Sequence, residues 1–199
     1  STKFLRPDLV IPWNLQCDEY KELLTELSNV WFSSGGTKSD LHNDAYENIN
    51  CLYRGKKRWL LIDINKYKDV EHKILNDRVD YLSTMDVEKV NLKKFPVMKN
   101  MEFHEALLEQ GDCIYVPRKW IHHVESFDSN LAVNVWWIKN ENLTLSNCQK
   151  TFDTSITFDK WIFGADEAFL PKLNESSQVD KKPDDDIKED IETSKDIKE

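Results

Sequence analysis

Short apolar runs separated by turn residues dominate the chain from about residue 30 to residue 137. Val30-Trp31-Phe32-Ser33 reads as a strand broken by Gly35-Gly36. Ile49 to Tyr53 and Trp59 to Ile64 read as the arms of a hairpin that turns at Arg54-Gly55-Lys56-Lys57. Phe103 to Leu108, a turn at Glu109-Gln110-Gly111-Asp112, and Cys113 to Pro117 continue the pattern, and His122 to Ser126 with Leu131 to Trp137 form a last strand pair. Upstream, Leu5 to Leu15 carries Pro7 and Pro12 and is expected to be extended. Asp18 can cap a short helix in which Tyr20, Leu23, Leu24 and Leu27 fall at helical spacing. Residues 65 to 100 are polar with weak local signals, a length that suits a lid or binding loop. Many short strands without a βαβ rhythm predict a mainly β protein, an antiparallel barrel or sandwich.

The ends of the chain differ from its middle. Residues 151 to 172 hold a second apolar patch that includes Phe152, Phe158, Trp161 and Phe169. It is expected to be helical, closing the barrel mouth or pairing with another subunit to give a homodimer. From about Asn174 the composition turns to Asp, Lys, Glu and Ser, which cannot bury enough surface to offset ordering, so a disordered tail is expected over 174–199. The segments are therefore read as 1–30, an extended segment and helix; 31–140, the β core; 141–173, an apolar C-terminal segment; and the tail.

Charge changes the picture little. Of the formal net charge of −9, the stretch from Glu175 to Glu199 supplies −5, with ten acidic residues against five lysines. The remainder is mildly acidic without a basic stripe, which argues against nucleic acid as a partner. No run of eighteen apolar residues exists, so no transmembrane helix is expected and no membrane role follows. The four cysteines, Cys17, Cys51, Cys113 and Cys148, contain no Cys-x-x-Cys pair, which excludes a zinc ribbon; spacing does not say whether any pair is bonded. Asn142-Leu143-Thr144 and Asn174-Glu175-Ser176 fit the N-glycosylation pattern and raise a secretory location only slightly over a cytoplasmic or nuclear one. The first residue is Ser1 rather than Met, and the expectation is a fragment whose N-terminus lies upstream.

The chemistry lies in two separated motifs. His42-Asn43-Asp44 precedes an apolar strand, and His122 follows Gly111-Asp112 and Pro117-Arg118-Lys119-Trp120-Ile121. Two imidazoles and a carboxylate on one face of a metal form the facial triad of non-haem Fe(II) oxygenases. Strand alternation would put His42 and Asp44 on one side, Asn43 on the other, and would turn His123 away from His122. His72 is read as solvated and His104 as a sheet residue. Lys57 can hold an organic acid beside the metal, as a point charge on a long stem. Nothing resembles His-Glu-x-x-His, which disfavours a zinc hydrolase.

Ser39 to Ile62 and Gly111 to Trp137, with Leu92-Lys93-Lys94-Phe95-Pro96 between them, resemble the JmjC-domain hydroxylases, cupin-fold 2-oxoglutarate oxygenases; the similarity runs from about Trp31 to Trp137. The resemblance implies a double-stranded β-helix, or jelly roll, with flanking helices. It puts the iron ligands on His42, Asp44 and His122, and the lysine that pairs with 2-oxoglutarate on Lys57. The hydroxyl residue three positions before the first ligand falls on Ser39, and the amides bordering the cosubstrate fall on Asn48 and Asn134. A tyrosine that some relatives supply from upstream has no counterpart from Ser1 onward. The cofactor set implied is Fe(II), 2-oxoglutarate and O2. The activity implied is hydroxylation of a C–H bond, on a protein side chain, with decarboxylation of 2-oxoglutarate to succinate. A JmjC lysine demethylase and a non-catalytic cupin binding module are the alternatives.

Overall fold

The computed structural model describes residues 7–25, 29–67, 70–75 and 82–163. Two long strands organise it, β3 (Glu47–Ile62) and β6 (Ile121–Trp137), paired antiparallel from Glu47↔Trp137 to Ile62↔Ile121. On the outer side of β6 lie β1 (Asn29–Ser33) along its second half and β2 (Thr37–Lys38) along its first. On the outer side of β3 lie β5 (Cys113–Val116) along its first half and β4 (His104–Leu108) along its second. The result is a six-stranded, wholly antiparallel sheet in which each long strand changes partner midway. This is the jelly-roll architecture of the cupin fold. Among the described residues no helix is long and apolar enough to cross a membrane.

Two expected turns are not turns. Arg54-Gly55-Lys56-Lys57 does not end a hairpin; β3 runs straight through it, with register shifts between Leu52 and Arg54 and between Arg54 and Lys56. Gly55 adopts φ +89°, and a Cβ there would lie 2.6 Å from the carbonyl oxygen of Ser129. A glycine bulge inside a ladder has the same local composition as a turn, and only the partner strand tells them apart. Likewise His122–Ser126 and Leu131–Trp137 are one strand, bent where Asp128 takes φ +57°.

Three apolar clusters hold the sheet. Leu52, Trp59, Leu61, Leu108, Val116 and Ala132 form the one built within β3–β6. Ile11, Leu15, Leu24, Val135, Phe158 and Trp161 pack the N-terminal segment and the short helix α2 (Phe158–Phe163) against one end. Leu41, Ile62, Ile74, Phe95, Met98 and Ile121 do the same at the other, where α1 (Val70–Ile74) and a 3-10 turn (Pro96–Asn100) anchor the long polar connection. At about 1.5–3 kcal/mol for each large apolar side chain buried, these anchors outweigh the weak local propensities of that segment.

The helix expected after Asp18 reduces to a 3-10 turn, Asp18–Tyr20, because Leu24 bridges to Trp137 and takes the chain into the sheet layer. Within the 151–172 patch, Phe158 and Trp161 are buried inside this chain, and the patch beyond residue 163 lies outside the described residues, as does the tail expected to be disordered. Cysteine pairing is complete: Cys51 bonds Cys113 across β3 and β5, and Cys17 bonds Cys148.

Candidate metal and cosubstrate site

His42 and His122 meet through their backbones before their side chains. The His42 N–H donates to the His122 carbonyl at 3.0 Å and the His122 N–H returns the bond at 2.7 Å, an isolated bridge at the start of β6. That pairing sets the imidazoles side by side, ring centroids 4.3 Å apart. Each Nδ1 faces a backbone carbonyl two residues back, Asp40 at 2.6 Å for His42 and Trp120 at 2.9 Å for His122. A carbonyl can only accept, so these contacts assign the proton to Nδ1 and leave Nε2 as a lone-pair donor, the usual orienting contact of a metal-bound histidine.

Asp44 is fixed from behind, its carbonyl accepting the Lys119 N–H at 2.9 Å. Its Oδ2 lies 3.6 Å from His122 Nε2, and one ligand atom from each of His42, Asp44 and His122 falls within 4.8 Å of the others. Neither His42 nor Asp44 belongs to a regular strand; the bridge and the Lys119 contact, not strand alternation, bring them together. Asn43 does turn away as expected, donating to Glu71 at 2.9 Å.

The electrostatics of this cluster favour a cation. Burial pushes the His122 imidazole down to about 3, and repulsion from a protonated His42 would add to the effect, so the ring is neutral near pH 7. Its contact with Asp44 is therefore not an ion pair but two electron-pair donors facing one another. Burial also raises the Asp44 carboxyl, with His42 opposing. Donors of this kind converging on one point are the arrangement a divalent ion satisfies.

Lys57 is the second charged feature. It is 7 % exposed, burial lowers its pKa, and its Nζ donates to Ser126 Oγ at 2.7 Å. No carboxylate lies within ion-pair distance of it among the described residues. Buried ammonium groups are rarely left so, and an anionic ligand is the natural complement. The cavity that Lys57 lines, about 410 Å³, is also lined by His42, Asp44 and His122. Metal donors and buried cation thus share one chamber.

Amides line the same chamber. Asn50 Nδ2 donates to Asn134 Oδ1 at 2.6 Å, and Asn134 Nδ2 to Asn48 Oδ1 at 2.7 Å. Ser39 Oγ accepts the Val124 N–H at 2.8 Å, which keeps its hydroxyl proton for a further acceptor. Every expected site residue, Ser39, His42, Asp44, Asn48, Lys57, His122 and Asn134, lines this cavity. His123 faces away, beside a separate hollow over Leu82–Glu88, and His72 and His104 are exposed.

Three contributors escape the sequence reading. Ser126 pairs with Lys57 through the β3–β6 register, and Trp59 stacks on the His122 ring at 5.6 Å between centroids. Asn50 was findable, since it lies two residues from Asn48 on the same strand face.

Comparison with known proteins identifies the family. Residues 3–142 match the family model described as a cupin-like domain. The chain is 31% identical over 109 residues to "Lysine-specific demethylase JMJ30" of Arabidopsis thaliana, covering 55% of this chain and 25% of that protein. It is 29% identical over 137 residues to "Lysine-specific demethylase 8" of Xenopus tropicalis, covering 67% and 30%. It is also 29% identical over 129 residues to "tRNA wybutosine-synthesizing protein 5" of Gallus gallus, covering 64% and 39%. The chain thus spans about a quarter to two-fifths of the length of these relatives. A solved structure, Escherichia coli YcfD, aligns with a TM-score of 0.41 at 17% identity over 61% of this chain and 28% of that one. The chain belongs to the cupin-like domain family, and its relatives are JmjC-domain proteins.

Proposed function

We propose that this domain is an Fe(II)- and 2-oxoglutarate-dependent dioxygenase that hydroxylates a protein side chain. The observation that carries the reading is the buried, carboxylate-free ammonium of Lys57 in the same chamber as the His42, Asp44 and His122 donors. In this reading the two Nε2 atoms and the Asp44 carboxylate would hold Fe(II). Lys57 and Ser126 would take the distal carboxylate of the 2-oxo acid, and Ser39 and Asn134 would add hydrogen bonds. When bound, iron with 2-oxoglutarate and O2 supplies the oxidising power, giving succinate and CO2 as one oxygen atom enters a substrate C–H bond.

The protein's own part is positional. Asp40 and Trp120 hold the histidine tautomers, Trp59 blocks one face of His122, and the Asn48–Asn134–Asn50 chain stiffens the chamber floor. No side chain needs to act as a general acid or base. A protein substrate is favoured over a tRNA because the folded part has no basic stripe to hold a phosphate backbone. Demethylation, suggested by the names of two of the relatives, uses the same site on an N-methyl group and releases formaldehyde.

The test is turnover. The Fe(II)-loaded chain should convert 2-oxoglutarate to succinate in air, and Asp44→Ala should abolish it. Peptide substrates should then gain one oxygen atom, whereas formaldehyde in step with succinate would assign a demethylase. Succinate no higher than in Asp44→Ala would sink the proposal.

A further inference from the structure

We propose that Asn142 carries an N-linked oligosaccharide, acquired as the chain folds in the oxidising lumen of the secretory pathway. This stands apart from the oxygenase reading and does not rest on it.

The first observation is the fate of the cysteines. Four of them, scattered over the sequence, form two bonds with none left over, across sequence separations of 131 and 62 residues. Both join positions already paired by backbone, Cys51↔Cys113 in the β3–β5 ladder and Cys17↔Cys148 as an isolated bridge. Each bond forms from two thiols with loss of two protons and two electrons, which a disulfide-donating oxidoreductase accepts. Structural bonds of this kind persist in secretory compartments and are rare in a cytosol held reducing by glutathione.

The second observation is the acceptor itself. Asn142-Leu143-Thr144 lies just past β6, and both Asn142 and Thr144 are exposed. The turn is ordered from within: the Asn142 N–H donates to Asn140 Oδ1 at 3.0 Å and the Leu143 N–H to the Asn140 carbonyl at 3.3 Å. The loop is held at one end by β6 and at the other by the Cys148 bond. Its own amide and the Thr144 hydroxyl make no hydrogen bond among the described residues, so the two groups that glycan transfer requires are both presented to solvent. No described residue from Ile138 to Cys148 lines the metal chamber, so a glycan here leaves it open.

The transfer balances simply. The Asn142 amide nitrogen forms a bond to C1 of the sugar in a lipid-diphosphate-linked oligosaccharide, and the C1–O bond to the diphosphate breaks. The amide loses one proton, the lipid diphosphate leaves, and nothing is oxidised or reduced.

The experiment uses the protein captured from its natural source with an antiserum raised against this chain. Alkylation before reduction should block none of the four cysteines, and peptide-N-glycosidase in heavy-oxygen water should convert Asn142 to labelled Asp. Asn142 found unmodified, or cysteines found alkylated, overturns the proposal. Secreted expression in eukaryotic cells, in an Asn174→Gln background, then isolates the site. There Asn142→Gln and Thr144→Ala should each remove the glycan-dependent gel shift, and Thr144→Ser should keep it. A shift that survives Thr144→Ala would contradict the assignment to this sequon.

Discussion

Lys57 shows most clearly how one residue can declare a ligand. Its charge is buried against a serine hydroxyl, an arrangement that is costly alone and favourable once a carboxylate arrives. Lys57→Ala should therefore weaken 2-oxoglutarate binding by about 3 kcal/mol, roughly a hundred-fold, as expected when one partner of a buried charge pair is truncated. Metal binding should be unchanged, and calorimetry with each ligand separately checks both. A second residue-scale prediction concerns His122, whose pKa of about 3 in the fold lies below the 6.5 of the free side chain. Between those values the unfolded chain binds the extra proton, so acidification favours unfolding. This group alone should cost the metal-free protein up to about 1.4 kcal/mol per pH unit on going below pH 6.5. Denaturant unfolding from pH 7.5 to 5 measures it, and His122→Asn should flatten the profile. The gathering of the triad, Lys57, Ser39, Asn48 and Asn134 around one cavity was legible from motif spacing and family resemblance. Ser126 and Trp59 were not, because their contacts with Lys57 and His122 depend on which residues oppose one another across β3 and β6.

Among the elements, β3 decides whether the site exists. Strict alternation along it would put Lys57 on the face opposite Asn48 and Asn50. The irregular stretch from Leu52 to Lys56 resets the phase, so all three face the chamber. The sequence alone suggests a turn here because Gly and basic residues punctuate both turns and bulges, and choosing between them needs the partner strand. Gly55→Ala forces a left-handed backbone on a residue whose Cβ would lie 2.6 Å from the Ser129 carbonyl oxygen. It should destabilise the protein by about 2–3 kcal/mol and weaken 2-oxoglutarate binding beyond what the stability loss explains. Thermal unfolding and calorimetry on the same sample separate the two. The strands β1, β4 and β5 were legible, since each is a short apolar run bounded by turn residues. The helix expected after Asp18 failed for a tertiary reason: the Leu24 bridge to Trp137 overrides local periodicity.

At the scale of the molecule, two crosslinks and three clusters hold a fold whose contacts are mostly non-local. The chain-entropy model gives about 4 kcal/mol for a loop of 62 residues and about 5 for one of 131. Reduction should accordingly lower the melting temperature by more than about 10 °C, read by calorimetry with and without a thiol reductant. The cysteine spacing could not foretell the pairing, because it is set by the β3–β5 ladder and by the end of the chain returning to Cys17. The central claim is that the triad and Lys57 form one binding unit, and anaerobic titration with Fe(II) and 2-oxoglutarate tests it most directly. The intact protein should develop a weak visible metal-to-ligand charge-transfer band, lost in His42→Ala and requiring about a hundred-fold more 2-oxoglutarate in Lys57→Ala. A band of equal strength and midpoint in all three proteins would contradict the account.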